Sequence, residues 1–237
     1  MTFGAISPLG WGFVVFVTAI VPGAVLGNRE SAIAMASIPL ARRFYAMLLP
    51  QLVLGLLAIV TGLIERIELF PRRTPSLPSW LAGLVFVVAA VALVRPYWQR
   101  SVEEHKPTWR LFAPTNRRER RMWVALSLAA GIGEELVWRG VLPALLTALT
   151  GSIPIAIILS VLSFALAHAI QGLRSVVAIA AIAAAFHALV LVSGSLYVAM
   201  AAHSAYDIIA GFTYARIARE LGMLAEPPGS GAELRRE

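Results

Sequence analysis

The chain has 237 residues, 59% of them hydrophobic and 14% charged, with a formal net charge of +7 and a mean hydropathy of +0.77. A soluble domain is roughly 45–50% apolar and about 25% charged, so this composition excludes a soluble protein. High hydrophobicity excludes intrinsic disorder, and the absence of cysteine excludes disulfides, zinc–thiolate sites and thiol nucleophiles.

A membrane helix needs about 20 mostly apolar residues. The first such run covers residues 8–26. No Lys or Arg precedes it, unlike the basic start of a secretory signal peptide, and it reads as a retained span. The second and third cover 46–64 and 79–94. The fourth, 122–146, is interrupted by Glu134, Glu135 and Arg139. The fifth covers 153–170. The sixth and seventh, 175–192 and 195–216, are parted only by Ser193 and Gly194. The expected fold is all-α: a polytopic membrane helix bundle of about seven transmembrane helices.

Sixteen of the 20 Lys and Arg residues fall on the side shared by the odd-numbered loops and the C-terminal tail. Arg66, Arg72 and Arg73 fall on the other side, and Arg139 is inside a span. Lys/Arg-rich loops stay cytoplasmic, so the N-terminus is predicted outside and the C-terminus in the cytoplasm, with the cell membrane as location. The longest loop, 95–121, is basic and carries Trp98 and Trp109, with Trp123 just beyond. It reads as a cytoplasmic loop on anionic lipid headgroups with Trp anchors, and nucleic acid is not an expected partner. The tail, 217–237, is rich in Pro, Gly, Glu and Arg after Leu224 and is expected to be disordered.

Charged side chains near a bilayer centre cost at least about 2.5–3.5 kcal/mol and usually mark function. The first three spans contain none. The last four contain Glu134, Glu135, Arg139, His168, His187, His203 and Asp207. The chain thus divides its labour within one integral membrane domain: 1–121 packs and 122–216 carries a site. Residues four apart share a helix face, which pairs Glu135 with Arg139, Phe164 with His168 and His203 with Asp207. Glu134 is rotated about 100° from Glu135, leaving its carboxylate for another partner. Converging faces would surround one polar pocket with Glu134, His168, His203 and Asp207. Gly131 and Gly133 and the Ala/Ser/Gly-rich seventh span would permit the close approach this needs. His187 has no acidic neighbour at helical spacing and reads as a bundle histidine. The helical rise sets the pocket in the middle to cytoplasmic half of the membrane.

Glu134-Glu135-Leu136-Val137-Trp138-Arg139 is an EExxxR motif, Phe164 to His168 is FxxxH and His203 to Asp207 is HxxxD. Three such motifs in this order resemble the CPBP family of intramembrane proteases, which includes CAAX-processing Ras-converting endopeptidases and bacterial Abi, or bacteriocin-immunity, proteins. The resemblance covers about 122–216. It implies that Glu134 activates water with His168, and that His203 and Asp207 stabilise the oxyanion. Glu135, Arg139 and Phe164 are implied as supports.

The implied activity is hydrolysis of a peptide bond in a membrane-associated or lipidated protein or peptide, with that substrate and the lipid bilayer as partners. Family members often carry Asn at the position of Asp207. An ionised Asp cannot donate to an oxyanion, so Glu134, His168, His203 and Asp207 stand as an alternative set of Zn²⁺ ligands. The metal-free glutamic route is favoured, with no cofactor. The remaining alternatives are a non-proteolytic immunity or scaffold protein and a proton-coupled transporter.

Overall fold

A computed structural model describes residues 6–70 and 74–224. Among them the chain forms seven long helices and no strand. They are α1 (Pro8–Gly27), α2 (Leu40–Ile64), α3 (Leu77–Glu103), α4 (117–150), α5 (Ile153–Ala167), α6 (Leu173–Ser193) and α7 (Leu196–Glu220). A short helix, Arg29–Ala34, connects α1 to α2. The fold is the expected helix bundle. The expectation of a disordered tail beyond Leu224 concerns residues 225–237 and lies outside the described residues.

The boundaries follow local chemistry. Ser7, Ser76, Asn116, Ser152 and Ser195 each accept a backbone N–H from the first turn of α1, α3, α4, α5 and α7, satisfying donors that a helix start leaves free. Gly151 and Gly194 close α4 and α6 at φ 69° and 65°, conformations open to glycine without steric penalty. A Gly followed directly by a capping Ser makes two tight reversals, α4–α5 and α6–α7. These bring α5 and α7 back against α4.

Four helices, α1, α2, α3 and the 175–193 part of α6, are long and apolar enough to cross a membrane. Their outward side chains are apolar: Leu56, Leu63, Leu93 and Val192 are all exposed. α5 is apolar but has only 15 residues. α4 and α7 fall short on apolarity because they carry the charged groups, and neighbouring helices enclose them. From Leu136 to Arg139 every side chain of α4 is buried.

Two helices contain a π turn, Phe16–Ile20 in α1 and Leu136–Val141 in α4. Each precedes a proline, Pro22 or Pro143, whose i−4 partner lies inside that turn. Proline has no N–H and its ring collides with the i−4 carbonyl. The backbone widens instead, and the Val21 and Leu142 amides bond five residues back, to Phe16 and Val137. The second π turn carries Arg139.

The structure corrects the reading of the basic loop. Trp98, Trp109 and Trp123 are 4%, 2% and 5% exposed, so they are core residues rather than headgroup anchors. Trp98 packs on Tyr206 and Tyr214, and Trp123 on Phe112. Arg43 is buried and donates to the carbonyls of Met35, Arg110 and Leu111 at 2.8, 2.5 and 3.0 Å. Buried Glu119 accepts from Ala41 N at 3.2 Å and from Thr115 N at 2.8 Å. The turn Pro107–Leu111 and the segment after it are thereby folded under the bundle, where Phe112 joins the wall of the cavity described next.

Candidate active site

α4 delivers two carboxylates at one level because Glu134 and Glu135 are adjacent, and small residues let its neighbours reach them. At Gly131 a Cβ would lie 2.7 Å from Ser204 N, and at Gly133 one would lie 2.9 Å from the Gln51 carbonyl oxygen. Both distances are below ordinary contact. Glycine at these two places therefore sets how closely α7 and α2 approach α4. The approach at Gly131 brings in His203, and the approach at Gly133 brings in Gln51.

The four residues expected to converge do so. Glu134 Oε2 lies 3.9 Å from His168 Nε2 and 3.8 Å from His203 Nε2. His203 Nε2 lies 3.7 Å from Asp207 Oδ2, one turn on. All four line a cavity of about 490 Å³. Glu134 and His203 are buried, whereas His168 and Asp207 are only partly so. The rest of the wall is mainly apolar or aromatic, including Trp98, Phe112, Trp123, Phe186, Tyr206 and Tyr214. A few converging polar groups in an apolar cavity are the usual composition of a ligand site.

His168 departs from expectation in one respect. α5 stops at Ala167, and His168 sits just past its end at φ −106°. Its Nδ1 is 2.8 Å from the Phe164 carbonyl oxygen, so Nδ1–H donates there and Nε2 faces Glu134. The FxxxH spacing is thus a helix-end arrangement: the backbone of Phe164 orients the imidazole and its ring packs beside it, 4.4 Å between centroids.

Glu135 and Arg139 form the expected pair, with Arg139 NH1 3.0 Å from Glu135 Oε1 and both side chains fully enclosed. The same oxygen accepts from His203 Nδ1 at 2.8 Å. The guanidinium lies over the rings of Phe164 and Phe186, at 4.4 and 5.1 Å from their centroids. Such cation–π contacts strengthen when water is absent. Glu135 therefore binds Arg139 and His203 together, while Glu134 faces the cavity. His187 is buried and lies within electrostatic reach of Arg139 and Glu135, and it does not line the cavity.

Sequence reasoning missed two contributors. Gln51 on α2 donates its Nε2 to Glu134 Oε1 at 2.9 Å. Trp123 Nε1 donates to the Asp207 carbonyl at 2.9 Å, fixing the turn of α7 that carries Asp207. Gln51 gave no sign of this because it is an uncharged residue 83 positions from its partner. For Trp123, indole spacing reads equally well as a membrane interface.

The alternative ligand set can be tested on distances. Four donors around a tetrahedral Zn²⁺ at about 2.0–2.1 Å lie roughly 3.3 Å apart. The separations of 3.7–3.9 Å here are wider. Among the described residues no three His, Asp or Glu side chains are arranged to hold a metal ion.

Residues 117–209 match the family model described as Rce1-like, type II CAAX prenyl endopeptidase. The match begins at the start of α4, ends within α7 and contains all three motifs. Neither a curated protein nor a solved structure matches the chain.

Proposed function

We propose that this chain, which belongs to the CPBP family of CAAX-type membrane proteases through residues 117–209, is an intramembrane endopeptidase that hydrolyses by a glutamate-activated water. The carrying observation is the convergence of Glu134 Oε2 with both imidazole Nε2 atoms within 3.9 Å on a cavity wall. A peptide hydrolase needs a base near its water and donors near the developing oxyanion.

In this reading a water sits on the cavity side of Glu134 Oε2 and His168, within reach of both. Glu134 takes one of its protons, and the hydroxide oxygen bonds to the scissile carbonyl carbon. The carbonyl π pair becomes the oxyanion beside His203 and Asp207. As the C–N bond breaks, Glu134 returns the proton to the leaving nitrogen, giving one new carboxyl and one new amino terminus. His203 already donates Nδ1–H to Glu135, so donation from Nε2 as well requires the imidazolium form. Asp207 donates only when its carboxyl is protonated.

The cavity supports a membrane-associated protein or peptide as substrate, since an apolar wall suits an apolar or lipid-modified segment. The loop charges support a cytoplasmic C-terminus and an external N-terminus in the cell membrane. The test compares protein termini in membranes of the native host carrying either the wild-type chain or Glu134→Gln at matched level. Termini seen only with wild type, and reproduced by purified protein, are expected. Identical termini with both proteins folded would refute proteolysis and return the scaffold reading.

A further inference from the structure

We propose that Gln51, on α2 and outside the family-matched segment, is a positioning residue that fixes Glu134 so that Oε2 is the oxygen presented to the reacting water. The inference rests on the proteolytic reading above and extends the site to an N-terminal helix that the motifs do not reach.

Three observations carry it. The first is the bond itself, Gln51 Nε2 to Glu134 Oε1 at 2.9 Å. A carboxylate only accepts, so the amide must point its nitrogen at Glu134. The second is what else holds the amide. Gln51 Oε1 is buried and has no hydrogen-bond partner, so the contact with Glu134 determines which way the amide points. The third is how Gln51 arrives there. Its own backbone carbonyl is the atom that a Cβ on Gly133 would strike, and a Cβ on Gly55, one turn on, would lie 3.3 Å from the Cα of Gly133. The α2–α4 crossing is therefore closest at the glycine next to Glu134, and Gln51 is the polar side chain at that crossing.

The chemistry follows from which oxygen is free. Glu134 is faced by Gln51 from α2, His168 from the end of α5 and His203 from α7, with Asp207 of α7 on the same cavity and in electrostatic reach. Glu135 and Arg139 lie on its own helix, with Arg139 in electrostatic reach. With an N–H directed at Oε1, the proton removed from water is accepted on Oε2, between the two imidazoles. Without Gln51 the carboxylate plane can swing about its last torsion, a broad one; a half-turn only exchanges two equivalent oxygens, so what Gln51 fixes is the tilt of that plane toward the water. An interaction that orients the base without touching substrate affects turnover more than binding.

The test uses the full chain reconstituted in lipid vesicles, with a farnesylated CAAX reporter peptide as probe. Gln51→Met keeps length and apolar volume and removes the donor. It is expected to lower kcat by about ten- to a hundredfold with KM within about threefold of wild type. Gln51→Glu, of similar length but placing a second acceptor against Glu134, is expected to lose at least as much. Unchanged kcat in folded Gln51→Met overturns the proposal, as does a raised KM with unchanged kcat. A second arm needs no substrate. In amide-labelled wild type the Gln51 side-chain NH₂ resonances, assigned by their loss in Gln51→Met, are expected to shift in Glu134→Ala. Resonances that stay in place overturn the proposal. If wild type leaves the peptide intact, the failure falls on the proteolytic reading or its substrate class, and the resonance arm still tests the Gln51–Glu134 bond on which the proposal stands.

Discussion

Gly131→Ala is the sharpest probe of how the site is assembled. The added Cβ would sit 2.7 Å from Ser204 N and 3.0 Å from Ser204 Cα, with Ser204 Oγ closer still. Comfortable contact between heavy atoms is about 3.5–4.0 Å. Two of these three atoms are backbone and cannot swing aside, so α7 must retreat by roughly 1 Å. His203 is the residue before Ser204, and its 3.8 Å separation from Glu134 would open to nearly 5 Å, on the order of one atomic radius. Overpacking costs about 1–3 kcal/mol. Replacing a mid-helix glycine returns up to about 1 kcal/mol in helix propensity. Net stability should therefore fall by about 0–3 kcal/mol. Turnover is the more sensitive measure, because a misplacement of about 1 Å can cost a hundredfold. Thermal unfolding and reporter cleavage, read on the same vesicles, should show a fold still formed in the first and a loss of about two orders of magnitude in the second. Gly12→Ala, with no atom within 4 Å of the new Cβ, is the control and should leave cleavage unchanged. Full activity in Gly131→Ala would refute the idea that this approach sets the His203–Glu134 geometry.

Three other substitutions test separate parts of the arrangement. Asp207→Asn supplies an amide donor at all pH values, so cleavage should stay within about threefold of wild type; a loss of orders of magnitude would sink the donor role and point to a need for the carboxylate. Arg139→Lys keeps the charge but not the planar group stacked over Phe164 and Phe186. It should lower both thermal stability and turnover, by about tenfold for the latter, since Arg and Lys are not interchangeable at stacked sites; wild-type values for both would show that charge alone suffices. Thr61 is fully buried with an unpartnered hydroxyl, so near-isosteric Thr61→Val should stabilise the fold by about 1 kcal/mol; a lower unfolding temperature would mean that the hydroxyl does have a partner.

The helices were legible because apolar runs and charged interruptions are both local signals. The Gly-Ser reversals at 151–152 and 194–195 mark their ends as clearly in sequence as in the fold. The site was legible for the same reason: Glu135–Arg139 and His203–Asp207 are pairs one turn apart, and a charged group in an apolar run stands out. What stayed hidden depended on tertiary contact. Gln51 lies in an otherwise apolar stretch, and only the crossing at Gly133 gives it a partner. Arg43 looks like the other loop arginines until its three carbonyl acceptors are seen. The π turns had a local signal, a proline one turn on, which span-level reading passes over. His168 reads in sequence as a residue within a helix, whereas it terminates one.

In the proposed mechanism, the enclosed pair also bears on which of two adjacent carboxylates would act as the base. Removing an ion from water costs several kcal/mol unless partners replace its hydration. Glu135 is partnered through one oxygen, by Arg139 at 3.0 Å and His203 at 2.8 Å, while its Oε2 is buried without a hydrogen-bond partner. A group so engaged has no direct path to the cavity: taking a proton would weaken its hold on the guanidinium and on the imidazole together. Glu134 is held differently. One oxygen receives the Gln51 amide, and the other faces His203 at 3.8 Å and His168 at 3.9 Å on the cavity wall. One helix thus carries a carboxylate enclosed against Arg139 and His203 beside another that lines the cavity, and a rotation of about 100° between neighbouring residues separates the two.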